Sequence, residues 1–428
     1  MQDIIESELL PPPIPPSPYP LITSLKSLSL HHFRNYASAR IEVTPAPVVL
    51  TGHNGAGKTN ILEAISLLAP GRGIRRAKLG EMNTSPPPPA GEGRGRGACA
   101  VDSGLNSWIE SPLPNPPPQG GRGYSWAIAA SLHGMQGQVK IGTGRDPESA
   151  SDKRLVKIDG KIKGQAELAR HFAAIWLTPQ MEQLFHESAS AGRKFLDRLV
   201  YSFDPEHASR INEYDYAMRE RNRLLQDPRA DGAWLDALER TMAETAAAIA
   251  QARLHTAGHI NHAIESSGLS FPKAHLRIAG NIEDMLAAGA AAVGVEEDCA
   301  YLLKLARPQD RAAGRALSGI HRSALQVIHV TKQMPAEYCS TGEQKALLLS
   351  IVLAQARAGR QWHGVVPVLL LDEVVAHLDA TRRLELFQEI CQIGAQTWMT
   401  GTDAGLFAGL EGKAQYYQVD GGVIHDVE

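Results

Sequence analysis

Long apolar runs and a strong charge of either sign are missing from this 428-residue chain. No apolar run approaches the ~20 residues needed to cross a bilayer, and the acidic start of the chain is unlike a secretory signal. A net charge of −3 provides no overall attraction to nucleic acid, so any contact with DNA must come from a local basic patch. We therefore expect a cytoplasmic protein without a membrane segment.

Cysteines are few and aromatic residues are sparse. The four cysteines, Cys99, Cys299, Cys339 and Cys391, are far apart and form no C-x-x-C pair. This usage favours a reducing compartment and argues against a structural metal site. Aromatic residues do not alternate with basic ones, so platforms for stacking single-stranded bases are not indicated. The length predicts two or three domains, or one large α/β domain with insertions.

The most informative motif has the pattern G-x-x-x-x-G-K-T of a phosphate-binding loop. The sequence predicts a short buried strand at residues 47–51 and an amphipathic helix at 60–68, which is the context that such a loop requires. Lys58 is expected to reach the β- and γ-phosphates of a nucleotide, and Thr59 to offer its hydroxyl to Mg²⁺. The predicted nucleotide-binding residues of this loop are Gly52, His53, Asn54, Gly55, Ala56, Gly57, Lys58 and Thr59.

A second motif supplies the carboxylates that a nucleotide site needs. Four apolar residues at 368–371 are followed by Asp372 and Glu373, which is the Walker B pattern. Asp372 is predicted to hold the Mg²⁺ through its shell, and Glu373 to accept a proton from the attacking water. A further strand is predicted at 397–400, and Asp403 follows it at the place of a switch residue.

Ser340 and Glu343 form a capping box at the start of a predicted helix. The stretch Cys339–Lys345 resembles the signature motif of ABC ATPases, and Ala376–Asp379 resembles their D-loop. In this interpretation the amides of Ser340 and Gly342 meet the γ-phosphate held by another subunit, whereas the alternative is an ordinary helix cap. Along the sequence, the phosphate loop and the signature motif are much farther apart than in a transporter ATPase. Such a large separation is typical of SMC-like ATPases.

Two segments are too rich in proline and glycine to bury a core, and we predict that both are disordered. Between residues 190 and 264 the apolar spacing predicts two antiparallel helices joined by a short turn. The predicted fold class is α/β, an ABC-type P-loop ATPase head with an inserted, mainly α-helical second lobe. Its parts are a proline-rich tail at 1–23, a first ATPase lobe at 24–180 with a Pro/Gly/Arg insertion at 83–123, a helical lobe at 181–325, and the completion of the ATPase lobe at 326–428.

Clusters of basic residues mark candidate DNA contacts. One cluster follows the Walker A helix, and a second, from Lys304 to Arg322, is opposed nearby only by Asp310. Each phosphate contact would make binding salt-dependent and would carry no sequence information, which favours the backbone of duplex DNA. A solvated surface is the alternative for each cluster. The predicted DNA-binding residues are Arg72, Arg75, Arg76, Arg311, Arg315 and Arg322.

Several motifs together resemble the RecF family of bacterial recombination proteins. Leu30–Tyr36 matches the family's opening pattern L-x-x-F-R-N-Y, and Gly52–Ala64 matches its Walker A region. Thr178–Gln180 resembles its Q-loop, and Gly319–Arg322 resembles its G-P-H-R segment. Met181 departs from the pattern, because an acid is usual there. The match runs from about residue 25 to the end of the chain, apart from the insertion.

The resemblance implies an ATPase with ATP and Mg²⁺ as cofactors, in which ATP drives homodimerisation and slow, DNA-dependent hydrolysis serves as a switch. It implies binding to double-stranded DNA, favouring junctions with single strands. It also implies work with RecR and RecO in helping RecA replace the single-strand-binding protein at gaps. Gln180 would act with Asp372 and Glu373 in catalysis, and the metal would be held by Thr59, Gln180 and Asp372.

Three alternatives stay open at this point. A transport-associated ABC ATPase is disfavoured by the long separation of the motifs. A structural chromosome protein of the SMC type would need long coiled coils, and the predicted helices are far too short for that. The third alternative is a folded protein that its insertion has inactivated.

Overall fold

The computed structural model describes two compact units, which we call the ATPase unit and the helical unit. The ATPase unit is formed by Tyr19–Thr178 together with Pro367–Glu428, and the helical unit contains Pro179–Val366. The described residues are 24–83, 126–134, 137–145, 153–363 and 366–427. The predicted tail at 1–23 and the predicted insertion at 83–123, except residue 83, therefore lie outside the described residues.

One sheet of the ATPase unit is antiparallel and has the strand order β2-β1-β4-β5-β6-β7. Its strands are β1 (Ser24–Phe33), β2 (Tyr36–Glu42), β4 (Ala127–Gly134), β5 (Gly137–Arg145), β6 (Arg154–Ile158) and β7 (Lys161–Lys163). Buried residues alternate with partly exposed ones along β6, as expected for a sheet with one face on the core. Asp159 and Gly160 both have positive φ and form the hairpin turn between β6 and β7.

The second sheet of the ATPase unit has the order β15-β14-β3-β13-β12-β8, and every pair except β14 with β15 is parallel. Its strands are β3 (Val48–Thr51), β8 (Ala174–Leu177), β12 (Val368–Leu371), β13 (Thr397–Gly401), β14 (Gln415–Asp420) and β15 (Val423–Val427). Strands β8, β12 and β13 are buried along their whole length, because a parallel sheet is covered on both faces. Strand β3, from the first part of the chain, therefore lies between two strands from its last part.

Helix α1 (Lys58–Ser66) lies in the interior of the ATPase unit and contacts β1, β8 and β13. Seven of its nine residues are buried, so it lacks the polar face of a surface helix. The C-terminal part of this unit adds α9 (Ala380–Ile393), whose N-cap is Asp379; the Asp379 carboxylate accepts the Arg382 N–H at 2.9 Å.

The helical unit contains seven α-helices among its described residues and a small sheet. The helices are α2 (Ala189–Val200), α3 (His207–Leu225), α4 (Gly232–Glu265), α5 (Asn281–Ala287), α6 (Ala292–Leu305), α7 (Arg307–Ala313) and α8 (Thr341–Ala358). The sheet has the order β11-β10-β9, from Met334–Pro335, Ala324–His329 and Ala274–Ala279. The predicted helix pair corresponds to α3 and α4, which pack together across a short break. With 34 residues, α4 is only about 51 Å long.

The contacts group one segment differently from the sequence-based division. Helix α8 packs against α4 and β9, so residues 326–366 belong to the helical unit by their contacts, whereas the sequence assigned 326–428 to the ATPase lobe. The first boundary falls after Thr178, close to the proposed boundary after 180.

No helix in the described part of the chain combines the length and the apolar character that a membrane span requires.

Candidate nucleotide-binding site

The predicted strand, loop and helix around the G-x-x-x-x-G-K-T motif are present, and the loop conformation requires two of its glycines. Gly52 has φ of 148°, and a Cβ atom there would lie 2.2 Å from the carbonyl oxygen of Val419. Gly57 has φ of 117°, and its Cβ atom would lie 2.4 Å from Nδ2 of Asn35. No larger residue fits either position, so the motif's glycines are needed for the shape of the loop.

The Lys58 side chain folds into the loop that precedes it. Its Nζ donates hydrogen bonds to the carbonyl oxygens of Gly52 at 2.6 Å and His53 at 2.9 Å, and the residue is only 5% exposed. Burial lowers the pKa of the Lys58 ammonium, while the carboxylates of Glu373 and Asp372 act in the opposite direction. The loop therefore holds a cation at its centre, where a phosphate group would be bound.

The parallel sheet brings Asp372 next to Thr59. Strand β12 ends at Leu371, and the Asp372 N–H donates to the carbonyl of Leu177 on β8 at 2.9 Å. The Thr59 hydroxyl donates to the two carboxylate oxygens of Asp372 at 3.0 and 3.1 Å. The Thr400 hydroxyl at the end of β13 donates to the same carboxylate at 2.8 Å. Residues that are far apart in the sequence thus form one polar cluster at the carboxyl edge of the sheet.

The donor set at this edge fits a magnesium ion. Burial raises the pKa of Asp372, although the hydrogen bonds from Thr400 and Thr59 oppose this shift. A nearby cation would favour the charged form of this carboxylate. Magnesium in nucleotide enzymes is usually bound by one or two protein oxygens together with phosphates and water. Among the described residues no group of three or more His, Cys, Asp or Glu side chains is placed to hold a metal, so a metal held wholly by such side chains is not indicated there.

Glu373 adopts an unusual backbone conformation beside this cluster. Its φ is 54°, in the left-handed region that non-glycine residues rarely occupy, and its N–H donates to the Thr400 hydroxyl at 2.9 Å. Such strain persists where the surroundings impose it, and it is concentrated at functional sites. Thr400 therefore contacts both Walker B residues, through the carboxylate of Asp372 and the backbone N–H of Glu373, and this role was not predicted from the sequence.

The turn between β1 and β2 anchors the phosphate loop from outside. Nδ2 of Asn35 donates to the carbonyl of Ala56 at 2.9 Å, and the Tyr36 hydroxyl donates to the carbonyl of Gly57 at 3.1 Å. Nδ2 of Asn60 in turn donates to Oδ1 of Asn35 at 2.7 Å. This contribution was not predicted from the sequence, where the F-R-N-Y pattern was its only indication.

A buried carboxylate on α1 ties the same turn to the residues after the helix. Glu63 is fully buried and accepts hydrogen bonds from Arg34 at 2.6 and 2.8 Å, and from Arg75 at 3.1 Å. Arg75 also donates to Oδ1 of Asn60 at 2.5 Å. Arg75 was predicted to contact DNA, and the structure shows that its guanidinium is already paired within the ATPase unit.

The signature and Q-loop candidates lie in the helical unit. Ser340 caps α8 and forms the predicted capping box: its N–H donates to Glu343 at 3.1 Å, and its hydroxyl accepts the Glu343 N–H at 3.4 Å. Lys332 pairs with Glu343 at 2.5 Å, and this contact, with the bonds from Ser340, lowers the pKa of Glu343 to about 2. Gly342 is exposed with open space around it, and Gln180 is exposed at the start of the unit.

The basic residues of the second cluster, from Lys304 to Arg322, are less available to DNA than their sequence suggests, because several of them have partners within the protein. Asp236 and Glu239 both pair with Arg307, and Asp236 also pairs with Lys304 at 3.2 Å, so Asp310 is not the only acid that opposes this cluster. These partners are distant in sequence and become neighbours only when α4 packs beside α6. Nε of Arg311 donates to the carbonyl of Leu225 at 2.6 Å.

The remaining arginines predicted to bind DNA differ in their surroundings. Nε of Arg322 donates to the carbonyl of Leu317 at 3.2 Å. Arg72, Arg76 and Arg315 are exposed, as are Arg311 and Arg322.

Comparisons of fold and sequence point to one family. Residues 27–85 match a family described as the AAA domain. The solved structure of the recombination mediator protein RecF-ATP in the RecFOR pathway has a TM-score of 0.73 over 96% of this chain and 100% of that chain, at 20% identity. Its counterpart, described as RecF-ATPrS, has a TM-score of 0.72 with the same coverage and identity. These matches confirm the predicted ATPase fold.

The curated relatives extend this likeness to the sequence of nearly the whole chain. The DNA replication and repair protein RecF of Mesorhizobium japonicum is 43% identical, covering 96% of this chain and 99% of the relative. The protein of the same name from Agrobacterium fabrum is 42% identical over 94% and 98%, and that from Caulobacter vibrioides is 44% identical over 91% and 95%. The resemblance inferred from the motifs is confirmed: the chain belongs to the family of RecF DNA replication and repair proteins.

Proposed function

We propose that this protein is an ATP-dependent DNA-binding protein of recombinational repair and of the repair of replication gaps. The observation that carries the proposal is the 3.0 Å contact between the Thr59 hydroxyl and Asp372. It joins the Walker A and Walker B motifs at the place where a magnesium-bound triphosphate would lie. The family to which the chain belongs, and the RecF-ATP structure that shares its fold, both support this function.

The residues of the ATPase unit have separate roles in this proposal. The backbone amides of the loop Gly52–Gly57 bind phosphate. When the nucleotide binds, the Lys58 ammonium gives up its hydrogen bonds to the loop carbonyls and donates to phosphate oxygens instead. Thr59 and Asp372 would hold the magnesium ion that the triphosphate brings, and Glu373 would take a proton from the attacking water. Hydrolysis is slow and acts as a switch that ends the DNA-bound state.

The helical unit supplies the second half of each site in a homodimer. Ser340 and Gly342 lie at the start of α8, where the free amides of a helix end favour an anion. In the proposed dimer they meet the γ-phosphate of the nucleotide on the partner subunit. Because its segment resembles the family's Q-loop, Gln180 would sense the metal and the γ-phosphate. Because the signature motif of each subunit completes the nucleotide site of the other, ATP binding drives dimerisation.

The proposed DNA ligand is a duplex near a junction with a single strand. All six arginines of the predicted set are exposed, but Arg75, Arg311 and Arg322 already donate hydrogen bonds within the protein. Arg72, Arg76 and Arg315 are therefore the members of the set that we propose as DNA contacts. Exposed guanidinium groups suit contacts to phosphate, which carry no base specificity.

The proposed protein partners are inferred from the descriptions of related proteins. The solved relative is described as a recombination mediator of the RecFOR pathway, which supports cooperation with RecR and RecO in loading RecA. A transport-associated role and a structural chromosome role gain no support, because the curated relatives are DNA replication and repair proteins.

The deciding experiment replaces Glu373 by glutamine. The amide keeps the size of the side chain but cannot act as a base, so ATP hydrolysis on gapped DNA should fall by at least about 100-fold while an ATP-bound dimer accumulates. Turnover is measured by phosphate release, and the dimer by light scattering with ATP. Glu411→Gln is the matched control, since Glu411 is an exposed acid of the same unit.

Two results would contradict this proposal. Turnover of Glu373→Gln at the wild-type rate would exclude Glu373 as the base. A wild-type protein that binds ATP but neither dimerises nor binds gapped DNA would instead favour the inactive alternative.

A second prediction concerns the anchor outside the loop. Asn35→Ala removes the hydrogen bonds to Ala56 and Asn60, each of which contributes about 1 kcal/mol, so ATP affinity should fall by up to about thirtyfold. Titration of a fluorescent ATP analogue measures this change. Ser38→Ala, at an exposed position of the same hairpin, should bind ATP normally; equal affinities for both variants would rule out the anchoring role.

A further inference from the structure

A cavity of about 430 Å³ lies in the ATPase unit beside the segment that follows α1. Its walls come from residues 67–82, from the start of β6 and from the end of β7. Among the residues that the structure describes, no acid lines it, whereas five basic residues do: Arg72, Lys78, Lys153, Arg154 and Lys163. A cavity with only positive side chains in its walls attracts anions.

The floor of the cavity is a buried cation. Arg154 is 9% exposed; it donates to the Thr143 hydroxyl at 2.8 Å, to the carbonyl of Gly71 at 2.6 Å and to the carbonyl of Leu67. Burial lowers the pKa of Arg154 to about 10, so the guanidinium stays charged at neutral pH. Its partners are neutral, so its charge is not cancelled by any of these contacts.

The rim consists of four exposed basic residues, Arg72, Lys78, Lys153 and Lys163. None of them forms an ion pair with another described residue. Two acids in neighbouring segments have other partners: Glu81 accepts the Lys78 backbone N–H at 3.1 Å, and Glu167 pairs with Arg170 at 3.3 Å. The four side chains therefore remain available to an external anion.

The lining also indicates which anion is bound. The described part of the lining includes no aromatic residue on which a base could stack, and its apolar residues are Leu67, Ala77, Leu79 and Met82. A free nucleotide would leave its base without a stacking partner, whereas the phosphates of a DNA backbone need only positive charge. The rim residues come from three separated segments, which suits successive phosphates along a strand.

We propose that this cavity, here called the basic pocket, binds backbone phosphates of duplex DNA, with Arg154 as its floor and Lys78, Lys153 and Lys163 added to Arg72 as contacts. The inference rests on the proposed function, and it gives the DNA a defined place on the ATPase unit. It also explains why a chain with a net charge of −3 needs no overall positive charge to bind DNA.

The test uses the full-length double variant Lys78→Gln/Lys163→Gln. The affinity for a 30-base-pair duplex is measured by fluorescence anisotropy with ATP at several salt concentrations. Two lost phosphate contacts should weaken binding roughly tenfold and reduce the slope of log affinity against log salt by about 1.8. ATP affinity should stay unchanged. Lys161→Gln is the matched control, since Lys161 is exposed on β7 two residues before Lys163 but does not line the pocket.

The outcomes separate the inference from the proposed function. If the double variant binds duplex DNA with wild-type affinity and slope, the basic pocket is not a DNA site, while the function stands. If the variant loses affinity only for inorganic tripolyphosphate, the pocket serves a free anion and the assignment to DNA is wrong. If the wild-type protein binds no duplex DNA at all, both the function and the inference fail.

Discussion

Lys58→Ala should weaken ATP binding by roughly ten- to a hundredfold and abolish ATP-dependent dimerisation. The reason is that the ammonium is held at the centre of the loop by the carbonyls of Gly52 and His53, and alanine leaves no cation for the β- and γ-phosphates. A charge-assisted hydrogen bond of this kind contributes about 1.5–3 kcal/mol, which gives the expected loss of affinity. Calorimetric titration with ATP measures affinity, and light scattering measures the dimer.

The control for this prediction is Lys413→Ala, because Lys413 is an exposed lysine of the same unit. It should bind ATP and dimerise as the wild type does. If Lys58→Ala also dimerises normally with ATP, the phosphate loop does not drive dimerisation. Circular dichroism of both variants shows whether the fold is intact.

Arg221→Leu should lower the free energy of unfolding of the helical unit by about 3–5 kcal/mol. Arg221 is fully buried and joins three helices: it donates to Glu239 on α4 at 2.8 Å, to Asp310 on α7 at 2.7 Å and to the carbonyl of Leu303 on α6 at 2.7 Å. Leucine would leave Asp310 buried without a charged partner. Removing one member of a buried ion pair costs far more than the pair itself contributes.

The matched control lies two residues further along α3. Arg223 pairs with Glu220 at 2.8 Å, but its side chain is 63% exposed, so Arg223→Leu should change stability by at most about 1 kcal/mol. Urea unfolding followed by circular dichroism at 222 nm compares the two variants. Equal shifts of the midpoint would show that the buried network does not stabilise the unit.

The sequence predicted the local parts of the nucleotide site well. The glycine pattern, the flanking strand and helix, and the acids at the end of β12 all depend on neighbours in the chain, and each is where it was expected. The capping box of Ser340 is local in the same way. Motifs of this kind are visible because the chemistry dictates both the residue types and their spacing.

Other features depend on contacts between segments that are distant in the sequence. The spacing of residue types along the chain does not predict such contacts. The Asn35 side chain donates a hydrogen bond to a backbone carbonyl of the phosphate loop. An asparagine in a turn has no sequence signature that shows whether it forms such a bond. Arg307 seemed free because its partners, Asp236 and Glu239, lie about 70 residues earlier on another helix. The basic pocket likewise combines three segments, of which the sequence identified one.

The position of β3 has a consequence for synthesis of the protein. Its two neighbours in the sheet are β13 and β14, which begin at Thr397 and Gln415. At 5–20 residues per second, the ribosome needs roughly 20 to 70 s after making β3 before either neighbour emerges. Throughout that time the apolar strand Val48–Thr51 has no partner within its own sheet, so a nascent chain exposes an edge prone to aggregation until translation is nearly complete.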